Sequence, residues 1–159
     1  MVLSEYCGTT YLHLRHYETN PHTMKLYPTK RGVCLNKSTC TSLMNQSEEI
    51  ESHLKLAVSG NKNIGQCLSM GYGVFFTTTF NGKFLFDIRH YFRPNHEPRP
   101  IPTKRGIILT ASQMLDFFSC RDDIAKLCPE MTNSAVCWCS RAHHNMITPY
   151  LDCGCMIKK

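Results

Sequence analysis

The 159-residue chain lacks any apolar run long enough to span a membrane, so no transmembrane helix and no membrane partner are expected. Its opening residues, MVLSEYCG, hold neither a basic n-region nor an apolar h-region, and no secretory signal is expected there. Together these absences predict a soluble intracellular protein. A marked catalytic constellation is lacking too. Cysteine and histidine are plentiful, but nothing singles out one thiol as an activated nucleophile, and the chain reads as a non-enzyme.

What is present is a moderate basic excess and many cysteines. The formal net charge is +6 and the apolar fraction 42 %. A real core is therefore possible, and the charge suits an anionic partner without requiring one. Ten cysteines in a reducing compartment point to buried thiols or metal ligands. A disulfide-stapled secreted protein is the alternative, and the missing signal argues against it.

The strongest feature is an internal repeat. Pro28-Thr29-Lys30-Arg31-Gly32 returns intact as Pro102-Thr103-Lys104-Arg105-Gly106, an offset of 74. Arg15-His16-Tyr17 returns as Arg89-His90-Tyr91 in the same ungapped register, with Gly8/Gly82, Leu35/Leu109, Ser38/Ser112 and Ile50/Ile124. This register implies duplication. It divides the chain into a first module at 1–58, a linker at 59–71, a second module at 72–128 and a Cys/His-rich C-terminal segment at 129–159.

Each module reads as a small antiparallel sheet followed by one helix. In the second, 74–80 is aromatic and Thr-rich, as strands are. Asn81-Gly82 then predicts a two-residue hairpin turn with both residues at positive φ. Strand 83–92 alternates, with Phe84, Phe86 and Ile88 facing the core and Asp87, Arg89 and Tyr91 facing out. On this alternation His16 and His90 fall on the core side and read as structural. Four prolines make 93–102 a loop, a short strand follows at 106–109, and Thr110 caps one helix over 111–127. Its apolar stripe is Phe117, Cys120, Ile124 and Leu127. In the first module Leu12 and Leu14 face the core, Asn36 is the cap, and Leu43, Ile50 and Leu54 form the stripe. The fold class is α+β: two repeats of a curved antiparallel β-sheet followed by one α-helix, packed together because a module of this size covers its own core poorly.

Charge concentrates on the strands and loops. Over 72–110 six Lys/Arg face two acids, whereas the helix over 111–128 carries two basic and three acidic residues. Cations interleaved with aromatics form the pattern of a single-strand groove, where cations follow phosphates and rings stack on bases.

These residues resemble a known family. Phe80-Asn81-Gly82-Lys83, then Asp87-Ile88-Arg89-His90-Tyr91, then Lys104-Arg105-Gly106-Ile107-Ile108-Leu109 are similar to the transcriptional coactivator p15 family, also called positive cofactor four. The resemblance covers most of the second module and, through the repeat, the first more weakly. It implies a dimer packed through helices that binds single-stranded DNA on paired sheets with little sequence preference. Here it would be an intramolecular pseudo-dimer. Position by position it implies DNA contacts from Phe80, Lys83, Arg89, Phe92, Lys104 and Arg105, and from Tyr6, Arg15, Lys30 and Arg31 in the first module. Thr9 and Glu18 stand where the second module has Lys83 and Phe92, so unequal halves are expected. The implied setting is transcription, replication or repair alongside the proteins of those processes. That places it in the nucleus, a host nucleus for a viral chain, and otherwise in the cytoplasm.

Other readings of these residues compete. Lys30-Arg31 and Lys104-Arg105 also suit a solvated loop, and Arg15 and Arg89 suit ion pairs with local acids such as Asp87. Phe80, Tyr91 and Phe92 suit stacking or packing equally. RNA fits the same surface chemistry as DNA. In the C-terminal segment Cys137, Cys139, Cys153 and Cys155 are a candidate tetrahedral zinc set, with His143, His144 and Cys128 in reserve, although the spacing is not the usual one. The alternative function is a protein-interaction adaptor with the duplicated fold as scaffold and a zinc-clipped tail.

Overall fold

The computed structural model describes residues 1–58, 67–92, 94 and 100–136. The fold is α+β, with two antiparallel sheets. The first has the order β1 (Val2–Tyr6), β2 (Thr9–Thr19), β3 (Leu26–Asn36), and the second β4 (Cys67–Gly71), β5 (Val74–Phe80), β6 (Phe84–Phe92), β7 (Ile101–Thr110). Helices α1 (Lys37–Asn45) and α2 (Ser47–Val58) follow β3, α3 (Ala111–Ser119) and α4 (Arg121–Leu127) follow β7, and a 3₁₀ turn, Pro129–Met131, comes last.

Alternation sets the buried faces. Leu12 pairs with Leu35 and Leu14 with Val33 across β2 and β3, while Phe86 pairs with Leu109 and Ile88 with Ile107 across β6 and β7. All eight are buried in one core that also takes Leu43, Ile50 and Leu54 from the first helix pair and Met114, Phe117 and Ile124 from the second. The sheets meet where β3 lies against β7, with β2 touching β7 and β3 touching β6. Both expected caps form. The Asn36 side chain accepts from the Thr39 amide at 2.9 Å, and Thr110 makes a capping box with Gln113, satisfying amides that the first helical turn leaves unpaired.

Five expectations need correction. First, the helix expected over 111–127 is two helices broken at Cys120, and the first module's helix breaks at Gln46. Each break is a tight turn with i→i−3 bonding, Cys120 to Phe117 and Gln46 to Leu43. The bend keeps Ile124 on the core but turns Leu127 out, 78 % exposed. Second, Asn81-Gly82 does not form a two-residue turn. Phe80 pairs with Phe84, leaving a three-residue loop in which Gly82 alone has a positive φ, 70°. The two-residue geometry occurs instead at Cys7-Gly8, with φ 50° and 72° between the paired Tyr6 and Thr9. Third, the expected linker contains β4, whose Met70 is fully buried. Fourth, the strand expected at 106–109 begins at Ile101 and includes Pro102, which an edge strand tolerates. Fifth, His16 is exposed rather than structural.

The segment after α4 docks on the first helix pair. Ser38 Oγ donates to the Ala135 carbonyl at 2.9 Å, and the Ser134 amide donates to Thr41 Oγ1 at 3.1 Å. With β4, which also lies on α1, this segment covers the polar residues Ser38, Thr39, Thr41 and Ser42, all of which are buried.

Candidate nucleic-acid interface

The repeated Thr-Lys-Arg-Gly sequence builds a clasp for the preceding strand's arginine. Arg15 pairs with Gly32 and Arg89 with Gly106. Lacking a Cβ, each glycine lets the arginine lie across the next strand. A Cβ at Gly106 would stand 2.8 Å from Arg89 Cγ, and one at Gly32 would stand 2.5 Å from the Leu14 carbonyl oxygen. Each guanidinium then donates through Nη1 to a carbonyl at 2.7 Å, Arg15 to Thr29 and Arg89 to Thr103. The threonines close the clasp. Thr29 Oγ1 donates to the His16 carbonyl at 3.0 Å and Thr103 Oγ1 to that of His90 at 2.7 Å, while the Arg31 and Arg105 amides donate back to those hydroxyls at 3.2 and 3.1 Å.

The pairing slips inside this clasp, where the single residue His16 stands opposite Thr29–Arg31 and His90 opposite Thr103–Arg105, so the extra residues belong to β3 and β7. Opposite that excursion His16 has no paired neighbour and is exposed.

The clasps place three expected site residues around one hollow. A concavity of about 380 Å³ is lined by His16 and Arg31 from the first module and by Arg89, Lys104 and Ile108 from the second. Among the described residues Arg31 and Lys104 have no acid within ion-pair distance, whereas Arg89 Nε holds Asp87 Oδ2 at 2.8 Å. Arg89 is thus partly neutralised, as the ion-pair reading anticipated, and the other two cations remain available. The counterpart of His16 behaves differently. His90 is half-buried against the Cys34 backbone. Burial lowers its pKa, the Cys34 backbone bond works in the opposite direction, and the nearby Arg105 charge lowers it further.

The other expected residues are strung along the strands. Tyr6 (73 % exposed) ends β1, Phe80 (40 %) ends β5 and Phe92 (58 %) ends β6. Phe80 packs on Phe84 with ring centroids 4.9 Å apart, beside the exposed Lys83 in the loop. Arg89 lies five residues beyond Phe84, roughly 17 Å along the strand, so the hairpin tip and the hollow are separate places. Lys30 and Arg105 are exposed and Arg15 half-buried. Tyr91 packs edge-on against Phe75 at 5.0 Å, which favours packing over stacking for this ring. Glu18, the counterpart of Phe92, accepts a hydrogen bond from the Tyr27 hydroxyl at 3.0 Å, and that bond raises the tyrosine pKa.

Ser4 Oγ lies 2.8 Å and Cys34 Sγ 3.8 Å from His13 Nε2. Burial, then the Arg15 charge, lowers the His13 pKa, and burial raises that of the Cys34 thiol. Both shifts work against a thiolate–imidazolium pair. Cys137, Cys139, Cys153 and Cys155 lie outside the described residues, as do His143 and His144. Among the described residues no group of three or more His, Cys, Asp or Glu converges as metal ligands would, and no helix is long and apolar enough to cross a membrane. Comparison with protein-family models, with curated proteins and with solved structures finds no match.

Proposed function

We propose that this protein binds single-stranded nucleic acid without catalysing a reaction, as a p15-like pseudo-dimer contained in one chain. The observation that carries the proposal is the hollow between the modules, where Arg31 and Lys104, one from each, face the same space without acid partners among the described residues. A concave cluster of uncompensated cations attracts an anion strongly and specifies little else, which suits a phosphodiester backbone. The exposed rings of Tyr6, Phe80 and Phe92 at strand ends supply sequence-tolerant stacking surfaces.

Several contacts support the twofold relation. Strands and helices follow in the same order at the repeat offset, with caps at Asn36 and Thr110 and clasps at Arg15 and Arg89. The β2–β7 contact is reciprocated by β3–β6, as a self-complementary interface requires. Arg121 Nη1 donates to Ser47 Oγ at 3.1 Å, and these residues are themselves 74 apart, so equivalent positions meet as they do at a twofold axis. DNA is the proposed ligand, in transcription, replication or repair within a nucleus, and RNA shares the chemistry.

Fluorescence anisotropy with labelled single-stranded and duplex oligonucleotides across a salt series tests this. The expected result is micromolar or tighter binding that prefers the single strand and weakens with salt. Arg31→Glu and Lys104→Glu should each flatten the log–log salt slope by about 0.7, the share of one single-strand phosphate. Equal affinity for duplex, or no binding, sinks the proposal.

A further inference from the structure

β1 ends the three-stranded sheet, and among the described residues it pairs only with β2. Its counterpart at the repeat offset, β5, is not an edge, because β4 runs along it with Leu68 opposite Phe76 and Ser69 opposite Phe75. β4 also lies on α1. There Met70 is fully buried, its Sδ 3.7 Å from Gln46 Nε2, and the same amide donates to the Ser69 carbonyl at 3.4 Å and to Ser42 Oγ at 3.2 Å. Beyond the turn, Val74 is also buried. In this half of the molecule a strand edge and a helix face are covered together by one hairpin.

Among the described residues nothing covers the corresponding place in the other half. A cavity of about 240 Å³ lies between β2, β7 and α3, with Leu14, Leu109, Asp116, Phe117 and Cys120 in its walls and Met1 beside them. These wall residues stand at the repeat offset from Ile88, Leu35, Ser42, Leu43 and Gln46, a group whose Gln46 holds Met70 and whose Ile88, Leu35 and Leu43 share the core with Met70 and Val74. Arg15 also borders the cavity, but the Thr29 carbonyl holds its guanidinium at 2.7 Å.

An unpaired strand edge beside an apolar cavity is what strand addition needs. Main-chain hydrogen bonds along the edge give affinity, and alternate side chains entering the cavity give selectivity. We propose that the β1–α3 face docks an extended peptide of a partner protein, which adds to the first sheet where β4 adds to the second. The occupant carries apolar side chains two residues apart, as Leu68 and Met70 do, and turns them into the cavity. It also carries a basic residue, because Asp116 stands where the filled half has the neutral Ser42. That charge argues against a second copy as occupant, since its β1 would bring Glu5 to a face that already holds Glu5 and Asp116. The surface lies apart from the hollow that carries the nucleic-acid reading, as Arg31, Arg89 and Lys104 form no part of its walls, and it meets the other expected contacts at Arg15 and at Tyr6, the end of β1.

The test is amide NMR and hydrogen exchange on the full chain, titrated with a synthetic peptide of the 67–74 sequence carrying Cys67→Lys. Saturable shifts in β1 and α3 and slowed exchange in β1 are expected. Cys120→Trp, which fills the cavity, should abolish binding while leaving the thermal midpoint and nucleic-acid affinity unchanged. Asp116→Lys at the exposed rim should weaken binding about tenfold, and it decides the matter if the tryptophan variant does not fold. A peptide with serine at the Leu68 and Met70 positions should not bind. The proposal is overturned if no shifts appear in β1 and α3 at millimolar peptide, or if the serine peptide binds equally well. It is also overturned if β1 amides become protected with rising protein concentration alone, since that would make a second copy the occupant.

Discussion

Replacing Gly106 by alanine tests the clasp directly. A Cβ there would stand 2.8 Å from Cγ and 2.9 Å from both Cβ and Cζ of Arg89, so the arginine side chain must leave its place across β7. It then loses the Nη1 bond to the Thr103 carbonyl and the Nε bond to Asp87. Hydrogen bonds of charged groups are worth roughly 1.5–3 kcal/mol each. Partial exposure of the Arg89–Asp87 pair, 19 % and 18 %, reduces its share, and the expected cost is about 2–4 kcal/mol. A double-mutant cycle separates this from generic loss of glycine. Arg89→Ala removes Cγ and Cζ and both bonds, so Gly106→Ala should cost about 2–4 kcal/mol less in that background. Gly32 is the internal control. Its obstacles include backbone, the Leu14 carbonyl oxygen at 2.5 Å and Arg15 Cα at 2.9 Å, which truncating Arg15 cannot relieve. Gly32→Ala should therefore cost the same with or without Arg15→Ala. Urea unfolding followed by circular dichroism, with unchanged m-values, gives the four energies. If Gly106→Ala costs the same in both arginine backgrounds, the clasp argument is wrong.

Phe92→Ala should weaken single-strand binding by about 1–3 kcal/mol, the worth of one base–aromatic stack, while shifting the thermal midpoint little because the ring is 58 % exposed. Anisotropy and a melting curve on the same sample check both halves of that statement. Burial lowers the pKa of His90, and also that of His13, where the Arg15 charge adds to it. The unfolded chain therefore binds protons more readily below about pH 6.5, and stability should rise with pH up to that point and level off above it. His90→Gln should flatten the rise in urea midpoint between about pH 5 and pH 7.5; an unchanged slope would show that His90 does not contribute. If the C-terminal cysteines hold zinc as a tetrahedral set, elemental analysis of the chain should find bound zinc, and Cys153→Ser with Cys155→Ser should remove it.

Local rules made much of the fold legible in the sequence. The caps at Asn36 and Thr110 follow from side chains that satisfy the first free amides of a helix, and the paired core residues Leu12, Leu14, Phe86 and Ile88 follow from strand alternation. The failures occur where a local rule meets a register change or a tertiary contact. His16 is misplaced because it stands opposite the three-residue excursion of β3, where no paired residue covers it. Leu127 leaves its stripe because the helix bends at Cys120. β4 escapes detection because Cys67–Gly71 is short and sits among turn formers, and its burial depends on α1, more than twenty residues earlier. The site divides in the same way. The repeated Lys-Arg pairs were visible as charge, but the convergence of Arg31 and Lys104 with His16 on one hollow depends on how β3 meets β7, which no window of sequence contains. The repeat also conceals a division of labour within its shared motif. Threonine, glycine and the strand arginine hold the clasp, and the Lys-Arg pair between them is what faces outward.

That division explains how the two halves diverge without loss of the fold. The clasp depends on residues that are identical in both modules, so it tolerates change around it. Where the second module has Lys83 and Phe92, the first has Thr9 and Glu18, and Glu18 is engaged by Tyr27. Where the first leaves His16 exposed beside the hollow, the second tucks His90 against Cys34. In a symmetric homodimer every such change would appear twice and alter both surfaces. Within one chain each appears once, so the surface of one module can change while the other keeps its own and the clasps hold both. The same freedom accounts for the β1–α3 face. β4 covers the β5 edge and the α1 face, the segment after α4 also docks on α1, and among the described residues nothing covers the matching β1 edge and α3 cavity.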